Sequence, residues 1–317
     1  GQQLFHPNVD QRDFEKIPGA PIAYWTPNAL LNAFETAPKL GELAKPRIGF
    51  NTGDNKRFLR DWSEVSINRI GLDLSAQDSL DSISVKWIPY RKGGGYRKWF
   101  GNHSFVINWK NNGKEIKDYA VERNSGNHWS RYIQNLSFCL KEGLTWSFVS
   151  SGDFGVRYAP EGFMFDVGGS SIFPSSGDLN YLFGLLNSAV ALAALRTVNP
   201  TMNFQAGNLS SIPVIEETET GNVKSLTDQC VELAKRDWDS HEKSWDFTQH
   251  PLIQQNAASL EAAYDAWKAQ ATDDFLQLHA NEEELNELFI DLYGLQDELS
   301  PHVNLGDITI LDDELDG

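Results

Sequence analysis

The chain is 317 residues long, 40% hydrophobic and 12% aromatic, enough apolar material for a sizeable core and a length that suits two domains better than one. No window approaches the ~20 consecutive apolar residues of a membrane-spanning helix, and "GQQLFHPNVDQRDFEK" lacks the charged, apolar and small-residue order of a signal peptide. The formal charge of −17 is unevenly placed: residues 216 to 317 hold 25 acids against 5 bases, while residues 1 to 215 hold 19 acids against 22 bases.

In chain order, residues 1–20 read as a leading segment, and Gly1 in place of Met suggests a processed or excised chain. The three prolines and one glycine of "IPGAPIAYWTP" favour extended or turn conformations, and a short helix is predicted around "NALLNAFE". From 46 to 175, short apolar runs such as "ISVKWIPY", "SFVINWK", "LTWSFVS", "FGVRYAP" and "GFMFDVGG" alternate with turn residues and read as strands. Trp87, Trp109 and Trp146 alternate with polar residues as core-facing strand positions do. "GDLNYLFGLLNSAVALAALRTV" changes to helical period, with Asp178 to cap it and Asn199-Pro200 to end it, and predicts one nearly buried helix.

After the polar hinge "SSIPVIEETETGNV", the segments "VKSLTDQCVELAKRDWDSHEKSWDF" and "ASLEAAYDAWKAQATDDFLQLHANEEELNELFIDLYGL" show helix-period apolar residues under acidic outer faces. "GDITILDDELDG" reads as a short strand and a frayed acidic tail. No period of ~20 to 50 residues repeats, which argues against a solenoid. The predicted class is α+β, with a mixed β-rich domain and packed helices at 21–215 and an all-α acidic domain at 216–317.

Familiar catalytic signatures are missing from the sequence. It has no GxxxxGK[ST] loop, no GxGxxG opening a helix, no GxSxG elbow and no HExxH pair, since Trp245 stands where the second His of "HEKSW" would be. The seven histidines show no close ligand pair, and Cys139 and Cys230 lack CxxC spacing, so neither a metal site nor a disulfide framework is expected and a cytoplasmic location is. Glu115-Ile116-Lys117 half-matches a metal-dependent nuclease but lacks a Pro-Asp partner upstream, and reads as a solvated turn in "NNGKEIK". No catalytic residue is assigned.

Binding chemistry is better represented. Residues 86 to 117 carry eight Lys or Arg against Glu115 alone, a local positive field whatever the net charge. Within "RKGGGYRKWFGN", three glycines permit close backbone approach, Arg91, Lys92, Arg97 and Lys98 can neutralise phosphates, and Tyr96 and Trp99 can stack on bases. The competing reading is a hairpin whose aromatics face the core. In "NTGDNKRFLRDWSEV", Asn55 suits a base edge and Lys56, Arg57 and Arg60 suit phosphates, while Thr52 or Asp54 can equally cap a helix "NKRFLRDW".

Six stretches in order resemble the C-terminal half of the PglX-type adenine-specific DNA methyltransferases of bacterial BREX phage-defence systems: "IPGAPIAYW", "NTGDNKRFLRDWSEV", "WIPYRKGGGYRKWFGN", "GLLNSAVALAALRTVNPTMNFQAGNLSSIPV", "KRDWDSHEKSWDF" and "EEELNELFIDLYGLQDEL". The resemblance covers nearly the whole chain, and the fourth stretch also looks like the closing segment of target-recognition domains in restriction-modification specificity modules. It implies a division of labour, in which an N-terminal Rossmann-like domain binds S-adenosylmethionine and holds the flipped adenine with an (Asn/Asp)-Pro-Pro-(Tyr/Phe) motif. The downstream region recognises the DNA site.

This chain has no Pro-Pro pair, and Asn199-Pro200-Thr201-Met202 reads as a helix stop. The expectation is therefore a double-stranded DNA recognition module without cofactor, metal or transferase activity of its own, contacting DNA through Asn55, Lys56, Arg57, Arg60, Arg91, Lys92, Tyr96, Arg97, Lys98, Trp99 and Asn102. Arg and Lys would take phosphate or guanine, Asn55 and Asn102 adenine edges, and Tyr96 or Trp99 the gap left by base extrusion. The acidic helices would brace this domain, dock the methyltransferase domain or meet other BREX subunits. Two other readings are a protein-interaction scaffold, including one seized by a phage DNA mimic, and a Trp-lined carbohydrate module.

Overall fold

The computed structural model describes residues 11–149, 154–176, 178–199, 201, 203–216 and 221–311, the side chains of residues 11 and 13 aside. The strands are β1 (Ala44–Arg47), β2 (Leu59–Asp61), β3 (Trp87–Arg91), β4 (Phe105–Asn108), β5 (Gly143–Trp146), β6 (Val156–Ala159), β7 (Met164–Phe165) and β8 (Ser171–Pro174). The helices are α1 (Asn28–Thr36), α2 (Leu40–Leu43), α3 (Asn55–Phe58), α4 (Lys110–Arg123), α5 (Leu179–Leu186), α6 (Ala189–Val198), α7 (Ala206–Ser210), α8 (Gly221–Asp239), α9 (Pro251–Gln254) and α10 (Leu260–Tyr293). The expected mixed α+β class is the observed one, and among the described residues no single helix is long and apolar enough to cross a membrane.

The strands form two four-stranded sheets, ordered β1-β8-β5-β6 and β2-β4-β3-β7. The first is antiparallel throughout, while in the second β3 and β7 run parallel. Trp87 and the fully buried Trp109 and Trp146 face the interior as their alternation predicts. The second sheet packs Phe50, Phe58, Ile88, Tyr90 and Ile107 against Ile116 and Ala120 of α4. The first shares one continuous core with α1, α5, α6, α8 and α10, joining Leu144 and Trp146 to Leu226, Cys230, Leu285 and Phe289, so packing runs unbroken across residue 216.

The glycine-rich basic stretch stitches these layers together. It leaves β3 of the second sheet, and Trp99 then pairs with Arg157 beside β6 of the first, donating its N–H to Val156 at 2.9 Å and accepting from Tyr158 at 2.7 Å. It returns to the second sheet as β4. Gly93 (φ +93°) lies so close to the Gly168 carbonyl that a Cβ would sit 2.4 Å from that oxygen, which is why this crossing needs glycine.

Three local readings change. "NKRFLRDW" is a single helical turn, α3, because Leu59 to Asp61 instead pair with β4; Asp54 does cap it, accepting from the Arg57 N–H at 3.1 Å. The long buried helix after Asp178 is two helices, α5 and α6, bent by 71°. Asn187 breaks it by turning its amide onto the backbone of β6, accepting from Val156 N–H at 2.9 Å and donating to Val156 O at 3.1 Å, and Ser188 then caps α6. Near the C-terminus, Ile308 and Ile310 are buried without forming a strand, and the acidic tail from 312 lies outside the described residues.

Candidate nucleic-acid interface

Much of the basic stretch faces inward, against expectation. Lys98 is buried and its Nζ lies 2.6 Å from Glu282 Oε2 on α10, while Trp99, 1% exposed, donates its indole N–H to the other oxygen of Glu282 at 2.6 Å. Burial alone would lower the Lys98 pKa, but the Glu282 carboxylate outweighs it and holds the ammonium above its ordinary value. Arg97 is held at 3.1 Å by Asp237 of α8 and lies over the Trp238 ring. Arg91 is buried against the Phe163 ring and the Pro160 carbonyl; desolvation lowers its pKa to about 9, which leaves it charged at neutral pH.

Arg91, Lys98 and Trp99 are thus corrected from outward contacts to interior residues, and Arg97 from a phosphate ligand to a partner of Asp237. The charges of Arg97 and Lys98 are used inside the fold, because unpaired buried acids on α8 and α10 would be costly. Through Asp237 and Glu282, α8 and α10 hold the basic stretch against the core. Lys92 is half-buried with Asp166 at 2.8 Å, Tyr96 is half-buried, and Asn102, also half-buried, donates to the Gly95 carbonyl at 3.0 Å.

The other predicted stretch is different. Asn55, Lys56 and Arg57 are exposed on α3, and the half-buried Arg60 folds its guanidinium back onto the carbonyls of Lys56 and Leu59 at 2.7 and 2.5 Å. Register separates this group from the glycine loop: α3 enters its sheet where Leu59 pairs with Ile107, whereas the loop leaves past Tyr90, which pairs with Phe105. The eleven predicted residues do not form one patch.

Around α3 the fold adds partners that local composition did not single out. The Arg57 guanidinium lies 5.2 Å from the Tyr119 ring on α4, the Arg123 guanidinium 5.8 Å from the same ring and 4.8 Å from Tyr132. Arg57, Tyr119, Arg123 and Tyr132 thus form an alternating ladder of cations and aromatic rings. Glu115 fixes one end, accepting from Arg57 Nε at 2.9 Å and from the Asn108 amide at 3.1 Å. Gly53 (φ +77°) lets the backbone lie against Arg123, since a Cβ there would meet its guanidinium at 1.7 Å. Lys56 and Arg131 stand exposed on either side in sequence, and Lys117 lies between the rings of Trp109 and Trp129, with burial lowering its pKa.

Such a surface holds guanidinium groups in fixed planes beside aromatic faces, an arrangement suited to phosphate and to stacked bases. Glu115, read as part of a solvated turn, is instead near the start of α4 after three left-handed residues, Asn111, Asn112 and Gly113, and orients Arg57. Arg123, Tyr119 and Tyr132 were missed because they stand 62 to 75 residues after Arg57 and only tertiary packing brings them to it. The helical period of "KEIKDYAVER" was the available signal, since it sets Tyr119 and Arg123 four residues apart on one face.

Comparison with known proteins agrees with this architecture. No family model matches the chain. It is 40% identical over 307 residues to the adenine-specific methyltransferase PglX of Lacticaseibacillus casei (strain Zhang) and 34% identical over 303 residues to the adenine-specific methyltransferase BrxX of Escherichia coli O9:H4 (strain HS), matches that take in 95% and 94% of this chain. They cover 25% and 23% of those relatives. Among solved structures, the Type IIL restriction-modification enzyme MmeI in complex with DNA shares the fold over 83% of this chain and 34% of its own, with a TM-score of 0.50 and 13% identity. Over nearly all its length the chain is therefore similar to a segment of these adenine-specific methyltransferases, and it spans about a quarter of the length of the curated relatives it matches.

Proposed function

We propose that this segment recognises double-stranded DNA for the N6-adenine methylation carried out by the whole PglX-type protein, in BREX phage defence and in the cytoplasm. S-adenosylmethionine and the flipped adenine would be held by the rest of that protein, and this segment by itself would transfer no methyl group. The Arg57–Tyr119–Arg123–Tyr132 ladder carries the reading, because it combines exposed cations with aromatic faces in a fixed geometry. Asn55 and Lys56 precede Arg57 on α3, and the exposed Arg131 precedes Tyr132 in sequence. Kinship to adenine-specific methyltransferases and the fold shared with MmeI support it.

Methylating a base inside a duplex requires its extrusion, so the enzyme must grip the flanking DNA while the base is out. Phosphate contacts would set register, and Asn55 would read a base edge. The test is a binding titration of the chain against random-sequence duplexes at two salt concentrations, repeated with Arg57→Ala and Arg123→Ala. The expected result is salt-steep binding that weakens roughly tenfold in each variant and whose log–log salt slope falls by about one per lost phosphate contact. Equal affinity of wild type and both variants at low salt would remove the ladder from the interface.

A further inference from the structure

Sequence spacing gave no close pair of histidines, yet the fold brings two together. His279 and Glu283 stand four residues apart on α10, and His302 arrives from the segment after the helix, its ring centroid 6.3 Å from that of His279. One ligand atom from each of His279, Glu283 and His302 lies within 4.8 Å of the others, the one such group of three among the described residues. His302 Nδ1 is 2.8 Å and His279 Nε2 3.5 Å from Glu283 Oε1. The Val303 carbonyl, 2.8 Å from His279 Nε2, offers a fourth donor.

We propose that His279, Glu283 and His302 bind a divalent transition-metal ion of the zinc class. Donors about 2.0–2.1 Å from a tetrahedral ion sit roughly 3.3 Å apart, a spacing that the 2.8 and 3.5 Å separations from Glu283 Oε1 bracket, so a small rearrangement of the cluster completes the site. Two imidazole nitrogens with one carboxylate oxygen favour zinc, cobalt or nickel over magnesium or calcium, which require sets of oxygens. The scaffold is also prepared: the Val303 N–H donates to Glu283 Oε1 at 3.1 Å, and Asn286 on α10 donates to the Pro301 carbonyl at 3.0 Å. Such supporting hydrogen bonds orient metal ligands.

The ion is structural in this proposal. It ties the segment beginning at His302 to α10, and that segment supplies Thr309 Oγ1 to the Lys98 N–H at 3.1 Å and the Leu311 N–H to Asp237 at 2.9 Å. Metal binding therefore tightens the region where the acidic helices meet the basic stretch.

The test uses the tag-free chain, stripped with chelator and titrated with cobalt(II) chloride, followed by visible absorption and by melting temperature. The expected result is one equivalent of cobalt with tetrahedral-type absorption, displaced by zinc, and a melting temperature that rises with metal concentration. His302→Ala, at a position two-thirds exposed and so tolerant of truncation, loses the spectrum and the shift; Glu283→Gln weakens binding roughly tenfold or more; and His250→Asn, which retains a capping side chain for α9, changes neither. Absence of the cobalt spectrum in the wild type, or its retention in both His302→Ala and Glu283→Gln, overturns the assignment.

Discussion

Lys98 shows why charge in a sequence does not locate a binding surface. Its ammonium and the Glu282 carboxylate are 2.6 Å apart with side chains 10% and 3% exposed, and the same carboxylate also accepts the Trp99 indole N–H. Removing one member of such a pair leaves the other desolvated and uncompensated, which typically costs about 3–5 kcal/mol. Lys98→Met keeps the length and apolar stem of the side chain but deletes the charge, so it should destabilise the fold by about that amount. Urea denaturation measures it; a loss below about 1 kcal/mol would place this pair with weak surface ion pairs. Arg57, by contrast, is half-exposed and meets a partly exposed Glu115, an exchange a phosphate oxygen can enter without leaving a buried charge behind. The two residues belong to similarly basic stretches, and burial alone separates their roles.

Elements were legible where local chemistry dictated them. α1 forms where "NALLNAFE" puts Leu30, Leu31 and Phe34 on one buried face, and β3 to β6 follow the alternating or β-branched runs that signalled them. β1, with Pro46 in its sequence, and β2, hidden in a helix-like string, were illegible because each exists through pairing with β8 or β4, distant in sequence. The break between α5 and α6 is of the same kind. Nothing in "GLLNSAVA" demands a bend, but Asn187 satisfies both the N–H and the carbonyl of Val156, and those bonds exist only when β6 is beside it. Asn187→Ala should therefore cost about 1–3 kcal/mol, since it takes the side-chain partner from the buried Val156 N–H while the Val156 carbonyl keeps the Trp99 N–H, whereas a surface Asn→Ala in a helix costs little. A denaturation midpoint unchanged from wild type would mean that the bend is held by packing alone.

At the scale of the molecule, the uneven charge acquires a structural meaning. The acidic C-terminal third meets the basic region through Asp237 and Glu282, which take Arg97 and Lys98, so part of the charge contrast visible in the sequence is complementarity within one chain. The sequence displayed the contrast but could not display its pairing, because each contact joins residues more than a hundred positions apart. This pairing makes stability depend on acid. Burial alone would raise the Asp237 pKa, but hydrogen bonds from His241, Arg97 and the Leu311 N–H, together with the Arg97 charge, outweigh it and hold the carboxyl below its ordinary range. A carboxyl whose folded pKa is depressed contributes stability above its unfolded pKa of about 3.9 and loses that contribution as pH falls through the folded value. Asp237→Asn removes the titrating group while retaining an oxygen for the Leu311 N–H. The melting-temperature gap between wild type and Asp237→Asn should thus be widest near neutrality and narrow below about pH 4, where the unfolded chain binds the proton before the folded carboxyl does. A gap that stays constant from neutrality down to about pH 3 would show that Asp237 holds Arg97 and the C-terminal segment through shape and neutral hydrogen bonds, with its charge contributing nothing.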